Sequence, residues 1–247
     1  MADWNDRQPT GTGFGAAPSF NGAGINAATR DEGLRRHMLA IYNYMASGVL
    51  LSGIIAMLFA QSGAAAQMLG SPLGWLIQLA PIGFVLAMSI GLNRMQTATL
   101  QILFWAFAAT MGLSLSAIFL IYTGGSIAVA FFSTAAAFAG LSLYGYTTGR
   151  DLSGMGTFLL MGLIGLLVAS LLNLWLQSPG LYWATSVIGV LIFAGLTAYD
   201  TQKLKDQYHY VAGTQFAGKA VVMGALNLYL DFINMFLYLL RFLGDRR

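Results

Sequence analysis

The chain has no cysteine among its 247 residues, which excludes a disulfide framework, a thiolate nucleophile and a thiolate metal site. Charge is almost as scarce: Asp, Glu, Lys and Arg make up 9% of the residues, against the roughly 25% that soluble domains carry. Between His37 and Tyr199 the only charged side chains are Arg94, Arg150 and Asp151, an interval far too long to be the buried core of a soluble protein. Histidine is limited to His37 and His209, both read as lying outside the apolar runs. Neither an H-E-x-x-H nor a G-x-S-x-G pattern occurs, which argues against a metalloprotease or a serine hydrolase of that type. No glycine-rich loop precedes a helix so as to cradle a nucleotide, and a net charge of +3 makes no nucleic-acid surface. We expect no enzyme, no bound cofactor and no nucleic-acid partner.

What the chain has instead is apolar length. Hydrophobic residues make up 57% of it and the mean hydropathy is +0.68. Roughly 20 helical residues cross a hydrocarbon core of about 30 Å, and on that measure six runs qualify: Met38 to Ala60, Leu73 to Leu92, Ala98 to Tyr122, Ile127 to Tyr144, Thr157 to Leu176 and Tyr182 to Tyr199. A seventh, Lys219 to Leu240, is interrupted by Asn227, Asp231 and Asn234. All are too long for barrel strands and lack their alternation. The expected fold is therefore all-α, a polytopic transmembrane bundle of six clear spans plus a seventh, polar-seamed C-terminal helix.

The connections sort by charge. Residues 61–72, 123–126 and 177–181 carry none, whereas Arg30, Arg35, Arg36, Arg94, Arg150, Lys203, Lys205 and Lys219 all fall on the other side. The positive-inside rule then places the N-terminus and the even loops in the cytoplasm. A complete seventh crossing would put Arg241, Arg246 and Arg247 outside, so the last helix either re-enters or spans against that rule. Residues 1–33, rich in Gly, Asn, Ala, Thr and Pro, are expected to be a flexible cytoplasmic tail, with residues 34–247 forming one transmembrane domain. The many glycines in the spans, with Gly145 and Gly149 as a small pair near a helix end, either let backbones approach closely or reflect glycine's ordinary frequency in membrane helices.

Two carboxylates carry the functional signal. Ionising a carboxyl group in hydrocarbon is costly, so such residues face the bundle interior and are often functional. Asp200 closes the sixth span in "GLTAYDTQKLKD", and Lys203 or Lys205 could simply balance it at a helix end. Asp231 is harder to dismiss. At 100° per residue, Gly224, Asn227, Asp231, Asn234 and Tyr238 form one polar stripe on the last helix. If the sixth and seventh helices pack antiparallel, both carboxylates come to the cytoplasmic half of the membrane. Two carboxylates in a shared low-dielectric site do not both ionise. Singly protonated, the pair would hold the helices together; fully deprotonated, it would repel and open the seam to a cation. Arg94, at the end of the second span, could neutralise the site or could merely snorkel as an orientation signal. Tyr199-Asp200 also suits an intramembrane aspartyl protease, but "NLYL" before Asp231 lacks the Gly-x-Gly such enzymes carry.

The segments "GLTAYDTQKLK" and "MGALNLYLDFINMFLYLLRFLG" resemble the paired C-terminal signatures of the Bax inhibitor-1 family, also called the transmembrane Bax-inhibitor-motif family, in its bacterial branch. The resemblance implies a seven-helix bundle with a central last helix and a pH-sensitive calcium leak. It also implies that Asp200 in "AYDTQ" and Asp231 in "YLDFIN" are the hydrogen-bonded pH sensor, with Arg94 matching the arginine that ends the family's second helix. Certain calcium-leak members carry an acidic residue about three turns earlier in that helix, where this chain reads "APIGFVLAMSIGLNR". Some bacterial relatives are associated with a membrane-bound protease.

Together these readings predict a multi-pass protein of the bacterial inner membrane that passes calcium or a related cation passively. Its partners would be the bilayer, calcium and protons. Asp200 and Asp231 are the expected gate, proton sensor and weak, transient calcium site, and Arg94, Asn227, Asn234, Tyr238 and Tyr199 are the supporting seam. Two carboxylates and an asparagine are no six-to-eight-oxygen calcium cage, but weak binding suits conduction. The alternatives are a non-transporting regulator that binds a membrane protease or other membrane protein, and a proton-coupled cation exchanger.

Overall fold

The computed structural model describes residues 22–69 and 71–247. The helices among them are α1 (Gly22–Gln61), α2 (Ala64–Leu69), α3 (Pro72–Gly91), α4 (Thr97–Ile121), α5 (Gly124–Thr147), α6 (Ser153–Leu176), α7 (Pro179–Val211) and α8 (Ala217–Leu243). All but α2 are long and apolar enough to cross a membrane. The expected all-α bundle is therefore what forms, and each expected span falls inside one of these helices to within one residue at its end.

Local chemistry sets the boundaries. Pro72 and Pro179 each open a helix, where the missing N–H has no partner to lose. Ser178 Oγ accepts the Leu181 N–H at the start of α7, and Thr123 Oγ1 accepts the Ser126 N–H at the start of α5, each satisfying an orphan donor of the first turn. Gly63 and Gly213 turn the chain at φ +75°, a conformation that side-chain-bearing residues rarely adopt. In the α5–α6 loop, hydrogen bonds from Ser153 hold the exposed Asp151 carboxyl below its ordinary range.

One expectation about the ends changes. α1 begins at Gly22, so residues 22–33, read as tail, continue that helix; the rest of the expectation concerns residues outside the described ones. The histidines, read as outside the apolar runs, lie on the parts of two helices that extend past those runs. His37 is buried in α1 with its ring 5.3 Å from that of Tyr208, and His209 is in the last turn of α7. The 33 residues of α7 would reach about 50 Å, well beyond a hydrocarbon core of about 30 Å, so its end has room to carry such groups.

The arrangement follows from polarity. Lipid is as apolar as leucine, so burying a greasy helix inside the bundle gains little, whereas exposing a polar stripe to lipid is costly. α8, with Asn227, Asp231 and Asn234, accordingly takes the centre. It is enclosed by α1, α4, α5 and α7, while α3 packs on α4 and α6 on α7. In their most apolar stretches 61% of α8 is buried against 11% of α6, so the more apolar helix is the one left to face lipid. Close approaches use glycine selectively. A side chain at Gly145 would run into the Ala198 backbone of α7, and one at Gly112 into the Ser52 carbonyl of α1, whereas Gly53, Gly149 and Gly165 face open space. Both readings of the glycines are thus realised, at different positions.

α8 runs the whole length of the bundle, long enough for a complete crossing. Lys219 Nζ, in its first turn, donates to the Leu92 carbonyl beside the α3–α4 turn at 3.0 Å. At the other end the backbone of Thr123 donates to Asp245 O and that of Arg247 to Ile121 O, clasping the C-terminus to the α4–α5 turn. Arg246 donates to Tyr182 Oη at 2.6 Å, and the Arg241 guanidinium lies 4.9 Å from the Tyr182 ring centroid. The aromatic rims of α4 and α7 thus receive the arginines that the charge rule disfavours on that face. Because the chain lacks cysteine, single substitutions test this directly. Ser62→Cys and Arg247→Cys should react with an impermeant maleimide from one side of sealed vesicles, and Thr148→Cys and Thr214→Cys from the other. Labelling of positions 62 and 247 from opposite sides would contradict a complete seventh crossing.

Candidate functional site

The α7–α8 hairpin brings the two aspartates together. Asp231 sits at the middle of α8 and is 5% exposed, while Asp200, in the C-terminal half of α7, is half-buried. Across the α7–α8 interface their carboxyl groups lie close enough to interact directly. Asp231 Oδ2 is buried without a hydrogen-bond partner. Two ionised carboxylates are acceptors only, so nothing on either side chain can close this contact unless a proton, a water or a cation is shared between them. The expected position in the cytoplasmic half is also refined, since Asp231 lies midway along its helix.

The other expected residues are distributed differently. Asn227 and Asn234 flank Asp231 on the stripe and are half-buried, but among the described residues neither hydrogen-bonds to a carboxylate. Asn234 Nδ2 instead donates to the Leu230 carbonyl of its own helix at 2.8 Å. Tyr238 caps the stripe towards the C-terminal end, stacked on Phe193 at 5.8 Å in the space left by Gly189. Tyr199 turns away from the pair, its ring packed over Gly156 of α6. Arg94 is exposed in the turn after α3, and Arg36 with Glu32 is the only ion pair among the described residues. The arginine is therefore not paired with the aspartates. The cation that acts on Asp200 is Lys203, one turn on, whose ammonium lies 5.8 Å from the Tyr199 ring.

Sequence reasoning missed three contacts that surround the pair. Thr201 Oγ1 meets Ser142 Oγ of α5 at 3.5 Å. Gln202 clamps the α5–α6 loop, its Oε1 accepting Leu152 N and its Nε2 donating to Arg150 O, both at 2.8 Å. On the opposite flank of α8, Tyr229 Oη is 2.6 Å from Ser52 Oγ, which is itself 2.6 Å from the Ala108 carbonyl. One chain of donors satisfies all three: tyrosine to serine, serine to carbonyl. The Tyr229 hydroxyl, fully buried between Phe104 and Phe107, thereby ties α8 to α1 and α4. The small-residue spacing of Gly48 and Ser52 was the available signal. Among the described residues there is no cluster of three or more His, Cys, Asp or Glu side chains, so any cation held by the pair would keep most of its ligands from elsewhere.

The chain as a whole is similar to known proteins. Residues 34–247 match the family described as inhibitor of apoptosis-promoting Bax1. Protein RP147 of Rickettsia prowazekii is 52% identical over 221 residues, covering 89% of this chain and 93% of that one. Inner membrane protein YbhL of Escherichia coli K12 is 46% identical over 219 residues, covering 87% and 94%. Membrane protein SpyM3_0260 of Streptococcus pyogenes is 37% identical over 218 residues, covering 87% and 94%.

The buried Tyr229–Ser52 bond makes a specific prediction. Tyr229→Phe should cost about 1 to 3 kcal/mol of stability, the range for orphaning a buried partner, read as a lowered thermal midpoint in detergent. Adding Ser52→Ala should cost less than the sum of the two single changes. Strict additivity would show that the two hydroxyls do not depend on each other.

Proposed function

The chain belongs to the membrane-protein family of inhibitors of apoptosis-promoting Bax1, and from that premise we propose that it is a passive, proton-gated leak for calcium or a related cation. The observation that carries this reading is the meeting of two carboxyl groups at the middle of the central helix, with one buried oxygen lacking a donor. A single shared proton closes that contact and holds α7 against α8. Removing it leaves two like charges facing each other in a poorly screened interior, where their repulsion is strongest, and the hairpin is pushed apart. The sign follows: the closed form is favoured at low pH and conduction rises as protons leave.

The same carboxylates supply a transient station for a hard divalent cation, which prefers oxygen ligands. Weak binding by two carboxylates lets an ion leave as well as enter. No bond is made or broken, so the protein acts as a conductor and not as an enzyme. The clamp of Gln202 on the α5–α6 loop and the bond from Lys205 Nζ to Tyr146 O would carry movement of α7 to that face of the bundle. The arginines and lysines of the tail and even loops favour a cytoplasmic N-terminus. The description of the Escherichia coli relative as an inner membrane protein supports placement in the bacterial inner membrane.

Calcium-indicator flux into proteoliposomes of the purified chain, scanned from about pH 6 to about pH 8, tests the reading. Wild-type flux should rise with pH by up to about ten-fold per unit, the limit for a one-proton gate. In Asp200→Asn and Asp231→Asn the slope should be lost, since an amide is a permanent donor that does not titrate. Flux at the level of empty liposomes at every pH, with the protein folded and inserted, would replace the leak by a non-transporting regulator. Flux that drives a second ion uphill would replace it by an exchanger.

A further inference from the structure

Beside the aspartates, α1 and α5 part company and leave a groove down one side of the bundle. Its larger section has a volume of ≈ 790 Å³, within the roughly 300 to 1,000 Å³ typical of small-molecule sites. The walls come from α1 and α5, and Phe232 of α8 lies between them. A second section of ≈ 310 Å³ continues it towards the α4–α5 turn, sharing Val49 and Phe131 with the first. The lining is apolar nearly throughout, and Leu39, Leu50 and Leu143 on the rims are exposed, so the groove lies open along the bundle's side.

Polar groups gather at one end only. Arg35 lines the groove where α1 enters the membrane, together with Tyr42 and Tyr146, residues of the kind that settle at headgroup level. Lys205 stands behind Tyr146, its ammonium donating to the Tyr146 carbonyl at 2.8 Å and lying 5.5 Å from the ring. The result is a long apolar slot with Arg35 and two phenols at its mouth and Lys205 set one side chain behind them, on the face that also carries Arg94, Arg150 and Lys219. An apolar slot of this size gives water few partners, and leaving it empty forfeits the dispersion contacts of its walls.

We propose that this groove binds an anionic phospholipid of the leaflet on the basic face, one acyl chain lying between α1 and α5 and the headgroup phosphate meeting Arg35 and Lys205. Charge complementarity selects the headgroup, as it does for other basic sites at the membrane surface. The site is next to the aspartates without containing them: Phe232 follows Asp231 in α8, and Ser142 on the groove wall meets Thr201, which follows Asp200. A lipid seated there packs against neighbours of both carboxylates. The inference stands whether or not the chain conducts ions.

Native mass spectrometry of the purified full chain tests it, with dioleoyl phosphatidylglycerol and dioleoyl phosphatidylcholine titrated separately and glycerol phosphate as the chain-free headgroup. Wild type should retain phosphatidylglycerol at least about five-fold more tightly than phosphatidylcholine, the factor expected for one surface cation, and should not retain glycerol phosphate. Arg35→Gln/Lys205→Gln should abolish the preference while keeping the phosphatidylcholine level. Ala46→Phe/Ala139→Phe, which fills the groove from both walls, should lower retention of both lipids. Equal retention of the two lipids by wild type overturns the proposal, as does glycerol phosphate binding as well as the intact lipid or an unchanged preference in the Arg35/Lys205 variant. Should the groove-filling variant fail to fold, the headgroup comparison decides alone.

Discussion

A carboxyl group at the middle of a helix that lies at the middle of a membrane bundle must be given a partner, and the rest of this structure is organised around that requirement. Asp231 cannot face lipid, so α8 cannot be peripheral. Nor can it face an acceptor-only neighbour with both groups ionised, so its contact with Asp200 depends on something shared between them. The central place of α8, its antiparallel pairing with α7 and the lipid-facing position of the more apolar α6 all follow from hiding one polar stripe. The bundle is thus held less by apolar burial, which lipid would offer equally well, than by close packing and by the few polar contacts that have nowhere else to go.

Those contacts come in two kinds. Tyr229, Ser52 and the Ala108 carbonyl form a closed chain in which every donor has an acceptor, and such a chain rigidifies the helices it joins. The aspartate pair is open, because Asp231 Oδ2 has no donor from the protein. The first fixes α8 against α1 and α4; the second leaves its contact with α7 dependent on a proton, water or cation shared between the carboxyl groups. A fixed side opposite a conditional one is the arrangement a gated hairpin needs. Gln202, two residues from Asp200, ties the same helix to the α5–α6 loop, so a shift of α7 would be felt at that face.

Much of the fold was legible because its signals are long and one-dimensional. Seven apolar runs, charge-free loops alternating with basic ones and a stripe at helical spacing need no knowledge of neighbours. The convergence of Asp200 and Asp231 was legible for the same reason, since an antiparallel hairpin brings its two polar positions together. What stayed hidden depends on how helices rotate against one another. Arg94 was assigned to the site by its place at a helix end, yet its turn leaves it exposed. Asn234 shares the stripe with Asp231 but turns its amide onto its own backbone, and Tyr199 turns to α6. The α1/α5 groove is invisible in sequence because it is a gap, defined by two helices that do not meet. The helical extension of α1 to Gly22 was missed because glycine and asparagine count against a helix locally even where one continues.

The most direct test of the central claim is to look for the shared proton itself. Infrared difference spectra of the purified protein between about pH 6 and about pH 8 should contain a protonated-carboxyl C=O band that is lost as the pair gives up its proton. That band should disappear in both Asp200→Asn and Asp231→Asn while the helical amide bands stay unchanged. A band that persists in either variant, or its absence from wild type throughout the range, would contradict a proton held between these two side chains.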